Sequence, residues 1–148
     1  MIGYGLLPLS FIEKVYEKVE KYLPDVLRSP GAFASMCVSR DTAVFEVGTF
    51  GGVFWLSNIV VGWKATGHVV LWDKECLRQY KAAQHIIKEI FRLFRLQRLD
   101  AYIPADNEKA CHYAEHLGFT MEGILRKFEV YDGEYRDVAV YSLMKEDL

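Results

Sequence analysis

The chain has 148 residues, about half of them apolar and about a quarter charged, with a formal net charge of −2. Such a length and composition describe one globular domain spanning residues 1–148, and they exclude a disordered chain. The charge balance supplies no overall drive toward nucleic acid or an anionic membrane.

Cys37, Cys76 and Cys111 form an odd set without paired or metal-type spacing. They are expected to be reduced thiols of a cytoplasmic protein, with no metal site. A cationic segment followed by an apolar one is missing from the start, so no signal peptide is expected. Residues 47–63 carry no charge but are interrupted by Gly48, Gly51, Gly52, Ser57, Asn58 and Gly62. That stretch falls short of the roughly 20 mostly apolar residues of a spanning helix and is expected to form buried strands.

In chain order, residues 8–27 predict a helix. Leu9, Ile12, Val15, Tyr16, Val19 and Leu23 recur at spacings of three and four, Ser10 and Glu13 read as a capping box, and Pro24 breaks or restarts the helix. Ser29-Pro30-Gly31 predicts a turn, and residues 32–40 are ambiguous. Residues 41–47 and 53–61 predict antiparallel strands joined by a Gly-rich hairpin turn at 48–52, and residues 67–72 a third strand. Residues 74–96 carry the longest helical pattern, with an apolar stripe of Leu77, Tyr80, Ala83, Ile86, Ile87, Ile90, Phe91 and Phe94. A fourth strand is expected at 98–103. Asp106 or Asn107 then caps a short helix that ends at Gly118. Residues 119–131 and 134–143 predict a hairpin turning at Asp132-Gly133. This order of elements is mixed α/β.

The C-terminal half carries a resemblance. Asn107-x-x-Ala110 followed by Gly118-Phe119, then Glu122-Gly-x-Leu-Arg126, then Asp132-Gly-x-x-x-Asp137-x-x-x-Tyr141-Ser-Leu143, resembles GNAT-superfamily N-acetyltransferases. It is most similar to the branch that acetylates ribosomal-protein N-termini, over roughly residues 64–148. The resemblance implies a GNAT-like acyl-CoA N-acyltransferase fold. The strands at 67–72 and 98–103 would run parallel and splay apart to leave a slot for acetyl-CoA. The only candidate for the N-terminal strand of the family is residues 1–7.

It also implies a set of site residues. Cofactor contacts fall on Leu71, Trp72, Lys74, Leu77, Arg78, Gln79, Tyr80, Lys81 and Asn107. The diphosphate loop of the family matches either 74–79 or 78–83, and neither register supplies a glycine. Lys74, Arg78 and Lys81 are expected to compensate as point charges on phosphate. The usual acidic tyrosine is replaced by Ala114 and the serine of the ribosomal branch by Ala110, which leaves Tyr113, about 100° around the helix. Glu46, His68 and Asp73 are the candidate bases, and Glu46, His68 and Tyr113 the expected catalytic set. The expected activity is acetyl transfer to a primary amine, either a protein N-terminus or a small amine. The competing reading is a degenerate GNAT-fold binding or structural module. A small-molecule or peptide amine is the expected partner, without nucleic acid or membrane, and a homodimer is left open.

Overall fold

The structure is a computed structural model that describes residues 8–47 and 51–148, apart from the side chains of Glu46, Val47, Cys76 and Leu77. The possible N-terminal strand at 1–7 and most of the Gly-rich turn lie outside the described residues.

Helix α1, Leu9–Val19, buries Ile12, Val15 and Val19 along one stripe. Single turns of 3₁₀ helix follow at Glu20–Tyr22 and Asp25–Leu27, with Pro24 at the restart. The expected capping box is corrected. The cap residue is Pro8, and no side chain closes that end. Pro8 O accepts the first bonds, from Phe11 N and Ile12 N, which places Ser10 inside the helix. The turn expected at Ser29-Pro30-Gly31 is also corrected, because those residues open helix α2, Pro30–Cys37. Ser29 Oγ accepts from Ala32 N, and Pro30 occupies the first turn, where its missing N–H costs nothing.

A single six-stranded sheet follows, in the order β1-β2-β3-β4-β6-β5. Its strands are β1 Ala43–Val47, β2 Gly52–Val60, β3 Lys64–Leu71, β4 Arg98–Pro104, β5 Thr120–Tyr131 and β6 Glu134–Met144. All neighbours are antiparallel except β3 and β4. The stretch at 74–96 is two helices, not one: α3, Lys74–Arg78, and α4, Tyr80–Phe94, separated at Gln79. Lys74, Glu75 and Arg78 are all exposed, so no packing of these side chains holds α3 in line with α4. Helix α5, Glu108–His116, is capped by Asn107, whose Oδ1 accepts from Ala110 N. Gly118, at φ +98°, ends it.

Strand alternation divides the core in two. On one face Leu56, Ala65, Leu99, Ala139, Tyr141 and Leu143 pack with Ile87, Ile90 and Phe91 of α4 and Ala114 of α5. On the other, Val53 and Trp55 pack with Ile12, Val15 and Val19 of α1 and with Phe33 and Cys37 of α2. Among the described residues no helix is long and apolar enough to cross a membrane.

Candidate active site

The site follows from one defect in the sheet. Strands β3 and β4 pair only at Lys64↔Arg98, Ala65↔Leu99 and Thr66↔Asp100. Beyond that point β3 stays bonded to β2 as far as Leu71, and β4 stays bonded to β6 as far as Pro104. Each strand is therefore held by its outer neighbour, and the two inner edges diverge. Backbone N–H and C=O groups on those edges lose their ladder partners and need others. A ligand arm that carries amides can supply them.

A cavity of about 1010 Å³ occupies the gap. Its walls include Gly67–Leu71 of β3, Ala101–Pro104 of β4, and Ala110, Tyr113 and Ala114 of α5. The start of α4 contributes Gln79, Ala82 and Ala83. At the other end the cavity reaches the segment from Lys21 to Leu27, together with Trp55, Glu129, Tyr131 and Arg136. It thus runs through the sheet from the α4–α5 face to the α1 face, which is the geometry for two substrates meeting from opposite sides.

His68 stands in this passage. Its ring stacks on Trp55 at 5.0 Å and 10°, and its Nε2 lies 2.9 Å from Ser57 Oγ. Burial pushes its pKa from the ordinary 6.5 down to about 4, so the imidazole is neutral at neutral pH. Tyr113 also lines the cavity, and its ring lies 5.3 Å from that of Tyr80. Tyr80, stacked at 5.2 Å on His116, ties the start of α4 to α5. The offset of one residue from Ala114 does not take Tyr113 out of the cavity, because both positions line it. Asn107 caps α5 and lines the cavity at once.

The remaining expected residues divide. Leu71 and Gln79 line the cavity, whereas Trp72, Lys74, Arg78, Tyr80 and Lys81 are not among its walls. Trp72 packs beside the α1–α2 core. Arg78 pairs with Glu75 at 3.4 Å, and Lys74 and Lys81 are exposed. Asp73 Oδ1 accepts from Glu75 N, which makes it the cap of α3. Glu46 pairs with Val53 in the β1–β2 register. The side chains of Glu46 and Leu77 fall outside the description.

Two helix starts border the slot, that of α5, which Asn107 caps, and that of α4. The first backbone bond of α4 runs from Ala83 N to Gln79 O. The N–H groups of Tyr80, Lys81 and Ala82 are thus left without acceptors inside the helix, and Gln79 supplies no side-chain cap. Sequence reasoning did not single out Lys21, Lys109, Tyr102, Glu129, Tyr131 or Arg136, all of which line the cavity. Their sequence surroundings read as ordinary solvated faces or strand positions.

No protein-family model matches the chain, and no curated protein sequence does. Solved structures do. The F149A mutant of spermidine N-acetyltransferase SpeG from Vibrio cholerae is 17% identical with a TM-score of 0.71, over 93% of this chain and 92% of that one. RimJ from Mycobacterium smegmatis, in complex with CoA-disulfide, is 17% identical with a TM-score of 0.74, over 98% of this chain and 81% of that one. The Vibrio cholerae spermidine enzyme in complex with CoA and spermine is 19% identical with a TM-score of 0.69, over 94% and 90%. These likenesses establish the GNAT-like acyl-CoA N-acyltransferase fold. The spermidine N-acetyltransferase and RimJ match this chain to a similar degree.

Proposed function

We propose that the protein is an N-acetyltransferase that moves an acetyl group from acetyl-CoA to a primary amine. The observation that carries the reading is the cavity between the diverging halves of β3 and β4, open to both faces of the sheet. Its α4–α5 side fits the pantetheine arm, whose amides can pair with the strand edges released beyond Thr66 and Asp100. The N–H groups at the start of α4 suit the diphosphate. Lys74, Arg78 and Lys81 supply charge there in place of the glycines that the sequence lacks. The two neighbours solved with CoA or CoA-disulfide support the same ligand.

Bound acetyl-CoA would supply the acetyl group already activated as a thioester. The chain then has to present a neutral amine and protonate the departing thiolate. His68, held neutral, accepts a hydrogen bond from the amine. With its pKa near 4 it orients the amine better than it strips a proton from an ammonium. The described charged groups lining the cavity are Lys21, Lys109 and Arg136 against Asp106 and Glu129. Their positive balance disfavours the ammonium form and favours the free amine. Tyr113 gives its hydroxyl proton to the thiolate and is reprotonated by the proton that the acidic, newly acylated nitrogen releases as the amide forms, so nitrogen loses one proton and sulfur gains one. A cytoplasmic setting belongs to the same proposal, supported by the free thiols of Cys37 and Cys111.

The test is a calorimetric titration with CoA, paired with thiol release from acetyl-CoA in the presence of amines. Micromolar CoA binding and amine-dependent thiol release are expected. If millimolar CoA does not bind, the proposal falls. CoA binding without any transfer would favour the binding-module reading.

A further inference from the structure

We propose that the acceptor is a single primary amine carried on an aromatic or apolar body, and not a polyamine. The inference rests on the acetyltransferase reading and names the class of substrate for its acceptor side. Past His68 the walls include Leu23, Val26, Leu27, Trp55, Tyr102 and Tyr131, with Lys21, Glu129 and Arg136 among them. The greater part of this end is therefore apolar, and its aromatic surfaces supply contact most strongly per residue. Tyr102 continues the wall outward, since its ring stacks on Phe128 at 5.8 Å and 15°. Phe128 is 52% exposed and Leu125, on the same strand, 37%. The apolar lining thus extends from the cavity along β5 to the surface, where an acceptor body longer than one side chain would lie.

The charges argue the same way. A polyamine carries several ammonium groups, and each needs a carboxylate or an equivalent set of acceptors when it leaves water. The described lining has two carboxylates, and both are engaged: Asp106 lies 3.8 Å from Arg136 Nη1, and Glu129 accepts from the Tyr131 hydroxyl at 2.9 Å. Two acids beside this wall, Asp25 and Asp132, are engaged as well. Asp25 accepts from Asp132 N and Gly133 N, and Asp132 pairs with Arg28. The sequence at 1–7 and 48–50 contains no acidic residue, so Glu46 is the only carboxylate whose side chain is undescribed. Beside the Asp106–Arg136 pair, the lining cations Lys21 and Lys109 would meet a polyamine with like charge. One amine, entering neutral, meets none of these objections.

The experiment measures kcat/KM with saturating acetyl-CoA for phenethylamine, for a tripeptide amide beginning with Phe, and for spermidine, while calorimetry follows CoA binding separately. One of the two aromatic amines is expected to exceed spermidine by about tenfold or more, the scale of a well-packed aromatic contact added to apolar burial. Which of the two is preferred tells a small-molecule acceptor from a peptide N-terminus. In the double variant Tyr102→Ala, Phe128→Ala, KM for the preferred aromatic amine should rise about fivefold or more while CoA affinity stays the same. Spermidine as the best substrate, or an unchanged KM in the double variant, overturns the inference and leaves the acetyltransferase reading standing. CoA binding with no turnover of any of the three amines also overturns it. Failure of CoA to bind removes the acetyltransferase reading and this inference together.

Discussion

His68 makes stability depend on pH in a defined direction. In the unfolded chain it takes up a proton near its ordinary pKa of 6.5, and in the folded protein only near 4. Between those values the unfolded state binds more protons, so stability falls as pH drops from about 6.5 and levels off below 4. The full loss is on the order of 3 kcal/mol. Urea unfolding of wild type and His68→Gln at pH 7 and pH 4.5 should show a smaller acid-induced loss in the variant. A second polar group, Arg98, joins Asp100 and Glu122 and is half-buried. Its Nε lies 2.5 Å from Asp100 Oδ1, and two of its nitrogens contact the two oxygens of Glu122 at 2.9 and 2.8 Å. The guanidinium, helped by the Ser142 hydroxyl, holds the Glu122 carboxyl down to about 2. Asp100 is only 8% exposed, so Arg98→Met would strand a buried carboxylate and should cost about 3 kcal/mol in urea unfolding at pH 7. Because Asp100 sits at the last β3–β4 pair, the same variant tests what holds the slot at its closed end.

Among the elements, the β5–β6 hairpin shows how local chemistry and distant contact combine. Asp132 at φ 52° and Gly133 at φ 75° form the two-residue turn with both central residues left-handed. Gly133→Val should lower stability by about 1 kcal/mol or more, read as a shift in urea midpoint at unchanged slope. The tip is also clasped from the N-terminal half, because Asp25 accepts from both turn amides at 2.8 Å. The Gly133 amide, with that of Asp132 and the Arg28 guanidinium, holds the Asp25 carboxyl below its ordinary value. That stabilisation is present above the unfolded pKa near 3.8 and is lost as pH falls through the lower folded value. Asp25→Asn should speed hydrogen exchange at the Asp132 and Gly133 amides at neutral pH. Unchanged exchange would show that the clasp contributes nothing in solution. The clasp matters to the site because it fastens the Lys21–Leu27 wall of the cavity to the end of β5.

For the whole molecule, the slot predicts ligand-linked stability. A ligand that binds only the folded state at 100 times its Kd adds about 2.7 kcal/mol. For a domain of this size that should raise Tm by roughly 5–10 °C. CoA should therefore shift Tm by this amount, and the shift should shrink with added salt, because the proposed phosphate contacts of the exposed Lys74, Arg78 and Lys81 would be screened. Arg78→Ala with Lys81→Ala should weaken CoA binding about tenfold. Equal binding by the double variant would take Arg78 and Lys81 out of the account and leave the diphosphate to the α4 amides and Lys74.

The sequence by itself determined the pieces whose signals are local. The Asn107 cap, the stop at Gly118, the turn at Asp132-Gly133 and the apolar stripe from Tyr80 to Phe94 need only neighbours along the chain, and each is in place. Where two local readings competed, residues beyond the motif decided. Ser29-Pro30-Gly31 fits a turn as well as a capped helix start, and burial of Phe33 and Cys37 carries it on as α2, whereas Lys74, Glu75 and Arg78 are exposed and carry nothing past Gln79. His68 was legible as a candidate, but its neutrality was not, because that comes from burial in the folded chain, where Trp55 of the adjacent strand stacks on its ring. The far wall was invisible. Lys21, Tyr102, Glu129 and Arg136 lie on four separate elements, and only the sheet order and the early end of β3–β4 pairing bring them to one cavity. A binding site made where two strands part depends on which hydrogen bonds are absent, and absent bonds between residues more than 30 positions apart leave no local pattern to read.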